Sequence, residues 1–447
     1  MASRRLAISQ SNIFVKFKSS AYNSISTGFL FHPLFPRCAS GYSVMKTNEH
    51  KNEVDELLHQ RGSKNDMRGI SRRRIVVVAV LVCLVIAILT TSFTTQGRVM
   101  VKSALFIPSL IPGTTVQPIN WVTGSPHESS ITFSSEGNSY SGDIYLPPTK
   151  GLHPAMVVSL GVVTDVNDPR VINLAQALAR MGVIAFVPFS PDLLQGQVKP
   201  EDVGLLVSAF QYLMSRNDVE RQHVGFLGIC VGASLSMDAA EDPAIAGQVD
   251  FIIWFDGCYQ LDDLIASEIT HSYIQDGTTI SWNPDPLTTE VVNDELESLA
   301  PDAAEQAVVV QRAINGIHPD SATEAELSPM TQGILAVYDA TSFQDAKTRF
   351  DALPSPVPQL EASLSPASHL NQLSVRRLYL MVSTDDNLVP PEETNELKQA
   401  LRGNYTRYDE YSIFNHVDLD QLGNPLKSVS QLWSLFLELH SLFASLL

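Results

Sequence analysis

Cysteine is nearly absent from this chain. Four occur in 447 residues, at 38, 83, 230 and 258. None forms a Cys-x-x-Cys pair or stands at metal-ligand spacing, which argues against a disulfide-built scaffold or a structural zinc site. Positive charge is as scarce beyond the first 74 residues: 17 Lys and Arg face 43 Asp and Glu there, whereas residues 1–74 carry 13 basic against 5 acidic groups. A body that acidic repels phosphate backbones, so no nucleic acid is expected as its partner. Internal repeats and low-complexity tracts are missing too, which excludes a repeat array. What is present is a hydrophobic content of 44%, ample for one enzyme-sized domain with accessory segments.

One segment does not fit a soluble domain. Residues 75–97 carry no charge, and Ile75 to Leu89 is unbroken Val, Ile, Leu, Ala and Cys, long enough to span about 30 Å of hydrocarbon as a helix. Six basic residues lie in 55–74, against only Arg98 and Lys102 in the downstream flank to residue 114. This asymmetry predicts a single-pass signal anchor over 74–96, with residues 1–73 cytoplasmic and the large domain extracytoplasmic. A cleaved signal peptide is the alternative, but Thr-Thr-Ser-Phe-Thr-Thr-Gln-Gly offers no clear small-x-small site. The Ser-rich stretch 1–44, with five basic and no acidic residues, resembles a transit peptide. It equally resembles an upstream extension before a start at Met45 or Met67, and no fold is assigned to it.

Residues 97–124 read as a linker from membrane to domain, and 125–447 as the domain itself. Alternating apolar runs on either side of Gly137-Asn138 predict an antiparallel hairpin. Short apolar runs then alternate with helical stretches: strands at 155–161, 183–188, 223–228 and 250–255, helices at 171–181, 201–215 and 232–241. That rhythm predicts an α/β fold with a mostly parallel sheet covered on both faces. It breaks at 257–370, where 18 acidic residues face 3 basic ones, no clean strand occurs, and helical periodicity marks 302–314 and 329–350; this is read as an inserted helical cap. The sheet pattern resumes with strands at 377–382 and 405–413 and helices at 391–401 and 428–446.

The chemistry concentrates in Phe226-Leu227-Gly228-Ile229-Cys230-Val231-Gly232-Ala233-Ser234. A hydrophobic strand runs into small-x-Cys-x-small and then a helix, the pattern of a sharp turn that lifts a nucleophile above a sheet edge, where neighbouring side chains have no room. The free N–H groups of the following helix would stabilise a thiolate and an oxyanion. A buried Cys packed by glycines is the plainer reading of that motif alone. Context changes the balance, because an acid and a base follow in the required order. Asp386 lies in the turn after the 377–382 strand, and His416 lies just past the last strand.

From 127 to 447 the chain resembles the α/β-hydrolase superfamily. The likeness rests on Asp143-Ile144-Tyr145-Leu146-Pro147, on Leu174 to Gly182 leading into a strand, and on Ser365-Pro366, Asp386 and Val389-Pro390. In that family the acid precedes Leu-Val-Pro by one residue, which selects Asp386 over Asp385. The cysteine elbow is similar to those of dienelactone hydrolases and of polyhydroxyalkanoate synthases. Ala233 departs from the common second glycine, and Leu160-Gly161 replaces the usual His-Gly. By this resemblance the oxyanion hole would be the backbone N–H groups of Val162 and Val231. The expected activity is acyl hydrolysis of an ester, thioester or lactone, on a small-molecule or lipid-like acyl substrate, with no metal or organic cofactor. Acyl transfer by the same triad, a non-catalytic binding protein on this fold, and a structural or redox pairing of Cys230 with Cys258 are the rival readings.

Overall fold

The computed structural model describes residues 76–79, 81–83, 85, 94–111, 114, 116–135, 137–416, 418–419 and 425–447. The chain divides into two units, Met1–Val77 and Val78–Leu447, and the sheet with its helices belongs to the second. The expected cytoplasmic segment 1–73 and most of the expected 74–96 anchor lie outside the described residues. Among the described residues no helix is long and apolar enough to cross a membrane.

An eight-stranded sheet organises the domain. The strands β1 (His127–Ser135) and β2 (Asn138–Leu146) form the expected hairpin, pairing antiparallel from His127↔Leu146 to Ser135↔Asn138 across Gly137. Next come β3 (His153–Ser159), β4 (Ile184–Pro188), β5 (Val219–Ile229), β6 (Phe251–Phe255), β7 (Arg377–Ser383) and β8 (Arg407–Tyr411), in spatial order β1-β2-β4-β3-β5-β6-β7-β8. All pairs from β4 to β8 are parallel, and only β1–β2 and β2–β4 are antiparallel. This is the strand arrangement of an α/β-hydrolase fold. Parallel pairing matters for function because it brings the C-terminal ends of β5, β6, β7 and β8 to one edge.

Local chemistry explains the helices that cover the sheet. α1 (Thr95–Phe106) is capped by the Thr94 hydroxyl, which accepts from the Gly97 N–H at 3.0 Å. α2 (Pro169–Met181) begins with an Asp168 cap and Pro169 and stops at Gly182, which adopts φ +115°. α3 (Pro200–Ser215) also starts on Pro, with Asp202 reaching back to the Lys199 N–H at 3.0 Å. α4 (Val231–Glu241) follows the turn at Cys230 directly, α5 (Pro391–Leu401) follows β7, and α6 (Pro425–Leu446) closes the chain. One face of the sheet packs on α1, α2 and α6, through residues such as Phe106, Leu178 and Phe443. The other packs on α3, α4 and α5, through Phe210, Met237 and Leu397.

Three readings need correction. Residues 97–124 are not a plain linker: Val99 and Phe106 of α1 are buried in the main core, and the Phe106 ring packs edge-on to Phe443 at 5.5 Å. The insert is helical, as expected, but it also carries a hairpin of Ser272–Gln275 with Thr278–Ser281. Its turn is Asp276-Gly277, both at positive φ, a two-residue signal written in the sequence. The helix expected over 329–350 is two helices, Pro329–Tyr338 and Phe343–Asp351, because Ser342 caps a new start by accepting from the Asp345 N–H. The insert buries its own apolar cluster, including Ile265, Leu296, Val309, Ile334 and Phe350.

Candidate active site

Cys230 stands between β5 and α4 with φ 58° and ψ −137°, a backbone conformation that a side-chain-bearing residue holds only when its surroundings impose it. They do. Its N–H donates to the Phe255 carbonyl at 2.9 Å, and its carbonyl accepts from the Ala233 N–H at 2.8 Å. A Cβ at Gly228 would lie 2.3 Å from the Ala233 Cα, and one at Gly232 would lie 2.4 Å from the Ser159 carbonyl oxygen. Strand and helix therefore meet so closely at this turn that only glycine fits on either side of the cysteine.

The structure brings the acid and the base together. His416, buried and at φ 50°, directs Nδ1 to the Asp386 Oδ2 at 2.6 Å. The other Asp386 oxygen accepts from the N–H groups of Leu388 at 2.7 Å and Val389 at 3.1 Å, so this carboxylate is satisfied on both sides. Asp385 is exposed. Burial works against a charge on the His416 ring, but the Asp386 carboxylate and the Cys230 side chain outweigh it and hold the ring's pKa well above the ordinary imidazole value. The ring's Nε2 is buried without a completed hydrogen bond.

Gly161 lies against Cys230, since a Cβ there would stand 2.9 Å from the Cys230 Cβ. Val162 follows it, and both Val162 and Val231 line the same chamber as Cys230. The Val231 N–H belongs to the first turn of α4, where amides have no intrahelical partner. The neighbouring Val163 N–H is committed to the Leu193 carbonyl at 2.8 Å.

One buried acid was not singled out from sequence. Asp256, 2% exposed and at φ 52°, follows β6 directly and lies 4.0 Å from the His416 Nδ1. It accepts from the Ser383 N–H at 2.7 Å and contacts the Ser383 hydroxyl at 2.6 Å, and that hydroxyl also meets the His416 carbonyl. Burial, reinforced by the nearby Asp386 carboxylate, pushes its carboxyl well above the usual range. A single hydroxyl proton cannot serve two acceptors. A protonated Asp256 resolves this by donating to Ser383, which donates to the His416 carbonyl. The signal available in sequence was its place at the C-terminal end of a core strand.

The chamber facing Cys230 has a volume of about 270 Å³ and is walled mostly by apolar side chains, among them Leu261, Leu264 and Leu287 of the cap. The cap is tied to the acid loop: Trp282 Nε1 donates to the Asp386 carbonyl at 3.0 Å, the Asp285 N–H to Asn387 at 2.7 Å, and the Thr288 hydroxyl to Leu388 at 2.9 Å. Cys258 lines the chamber too; both it and Cys230 are free thiols here, and the Cys258 Sγ donates to the Gln260 carbonyl at 3.3 Å. Among the described residues two groups have the spacing to hold a cation, Asp256 with Asp386 and His416, and Asp262 with Asp351 and Glu361. In the first the ligand atoms are engaged with one another and with Ser383; in the second Lys347 meets Asp262 at 2.6 Å.

No family model matches the chain, and no curated protein matches it. Solved structures resemble it at low identity. A 2,6-dihydroxy-pseudo-oxynicotine hydrolase is 12% identical with a TM-score of 0.42, over 72% of this chain and 69% of that one. A puromycin hydrolase is 13% identical with a TM-score of 0.45, over 74% of this chain but only 41% of that one. An esterase from Pyrobaculum calidifontis is 12% identical with a TM-score of 0.40, over 79% and 92% of the two chains.

Proposed function

We propose that this protein is an acyl hydrolase that cleaves an ester, thioester or lactone through an acyl-Cys230 intermediate. The observation that carries the reading is the buried His416–Asp386 pair of 2.6 Å beside a cysteine held in a strained strand-to-helix turn over an apolar chamber. His416 takes the Cys230 proton, and the sulfur attacks the acyl carbonyl carbon. The oxyanion is received by the N–H groups of Val162 and Val231. As the carbonyl re-forms, His416 returns the proton to the departing alcohol or thiol, leaving a thioester on Cys230. A water molecule deprotonated by His416 then attacks that thioester, and the carboxylic acid leaves with the thiol restored. A bound alcohol in place of water would make the same site an acyltransferase.

The substrate in this reading is uncharged and apolar at its acyl end, as the chamber wall requires. A cap carrying 18 acidic against 3 basic residues disfavours polyanionic thioesters approaching from solution. We further propose that the 74–96 segment anchors the chain in a membrane with the catalytic domain on the extracytoplasmic side; protection of the domain from protease added to the cytoplasmic face would support it, and cleavage there would refute it.

The deciding measurement is a screen of short and long acyl esters, thioesters and lactones on the full chain beside Cys230→Ala. Turnover of a neutral acyl substrate that vanishes in the variant, together with trapping of an acyl group on Cys230, is expected. Undiminished turnover in Cys230→Ala, or none with any substrate in the wild type, would overturn the reading.

A further inference from the structure

A second cavity, of about 330 Å³, lies away from the cap, between α1, α2, α6 and the sheet face they cover. Native interiors leave few voids larger than a water molecule, and an empty apolar cavity grows more costly with its volume. This volume falls in the range of small-molecule sites. Its wall is apolar, with Leu174 of α2 and Leu439 of α6 facing sheet residues such as Phe255 and Met381. Polar residues interrupt it, Thr164, Arg170 and Asn173 among them, and two buried polar atoms of the lining have no partner. Glu438, 2% exposed, gives one carboxyl oxygen to the Tyr411 hydroxyl, while its Oε1 has no partner. The hydroxyl of Ser109, 6% exposed, has none either.

We infer that this cavity is a binding site for an uncharged single-chain amphiphile, a long-chain alcohol, whose alkyl body lies between α2 and α6 and whose hydroxyl meets Glu438. The apolar wall selects an alkyl chain. Buried polar atoms are ordinarily hydrogen-bonded, so two orphaned ones in a single cavity define where a ligand's polar end belongs. Burial pushes the Glu438 carboxyl up to about 8, so near neutral pH it is a neutral group that donates a proton to a ligand oxygen. A carboxylate head would be stripped of water beside that acid, and the cation that lines the cavity, Arg170, is already paired with Asp168 at 2.8 Å. The cavity ends at Gly161, the residue before Val162, so a bound alcohol lies behind the turn that carries the proposed oxyanion donor without touching Cys230. The inference stands apart from the acyl-transfer reading, and its test does not require turnover.

The test is photolabelling of the full chain with a diazirine-bearing dodecanol, followed by peptide mapping, with 1-dodecanol, dodecanoate and dodecane as competitors. Label is expected on the peptides holding Leu110, Leu174 or Leu439, displaced by dodecanol, poorly by dodecanoate at pH 9, and unchanged within twofold when Cys230 is alkylated. Leu174→Trp, which fills the cavity, should cut labelling at least tenfold. Should that variant fail to fold, Glu438→Met leaves the volume open and should weaken competition by dodecanol about fivefold relative to dodecane, while Glu438→Gln, still a donor, should retain it. Label confined to cap peptides such as that of Leu264, label lost on Cys230 alkylation, or equal displacement by dodecane and dodecanol would each overturn the inference.

Discussion

At the scale of single residues, two carboxyl groups flank one imidazole and only one is within hydrogen-bond reach of it. Asp386 is within 2.6 Å of the His416 Nδ1 and its other oxygen is held by two backbone amides. Asp386→Asn should therefore lower kcat by about a thousandfold or more, since an amide presents the wrong partner to the ring, whereas Asp385→Asn, at an exposed position, should stay within twofold. Equal losses at the two positions would show that the strand register assigns the wrong acid. Asp256 makes the opposite case: if it carries a proton, Asn reproduces a neutral donor and acceptor in the same shape, and Asp256→Asn should cost less than tenfold in kcat. Asp256→Ala removes the support of Ser383 and should cost more. A thousandfold loss in Asp256→Asn would instead make Asp256 the charged partner of His416. Cys230, Asp386 and His416 were legible because each stands in a local motif at a strand end. Asp256 was not, because its role comes from complete burial against β7 and from Ser383, which lies 127 residues away.

At the scale of elements, the parallel strands and their helices were readable to within a few residues because each is a short apolar run bounded by Pro, Gly or a capping side chain. α1 was missed for a physical reason. Its sequence Thr-Gln-Gly-Arg-Val-Met-Val-Lys-Ser-Ala-Leu-Phe has only a narrow apolar stripe, and its helicity depends on docking Val99 and Phe106 onto α6 and α2, a tertiary effect invisible to local pattern. Its Lys102 ammonium also reaches the carbonyls of Arg180 and Met181 at 3.1 and 3.2 Å, tying α1 to the end of α2. A chain beginning at residue 125 should consequently be less stable than one beginning at 94. Phe106→Ala in the full chain should lose about 3 kcal/mol, the usual cost of truncating a buried aromatic. Denaturant unfolding of these chains measures both. A midpoint unchanged by removing residues 94–124 would return this segment to the status of a tether.

At the scale of the whole molecule, the acidity visible in composition conceals a set of acids that the fold keeps protonated. Asp238 and Glu241 of α4 are buried with no hydrogen-bond partner on any of their four oxygens. Burial raises Asp238 well above the usual carboxyl value and Glu241 to about 8, as it does Glu438. In the unfolded chain a Glu carboxyl ionises near 4.5, so between that pH and about 8 the folded protein binds more protons than the unfolded one. Stability must then fall as pH rises through this window, by up to about 1.4 kcal/mol per pH unit for each such group, and level off above it. His416 adds in the same direction: its raised pKa contributes stability below the ordinary imidazole value of 6.5 that is lost as pH climbs through the folded value. The lowered carboxylates Asp168, Asp218 and Asp345 oppose this only at and below about their ordinary 3.8, outside the window. The free energy of unfolding in urea is thus expected to decrease steadily from pH 5 to pH 8. The double variant Glu241→Gln with Glu438→Gln should be the more stable protein at pH 8 and show a visibly shallower slope. A wild-type stability that is flat or rises across that range would mean that these carboxyls are ionised in the folded protein.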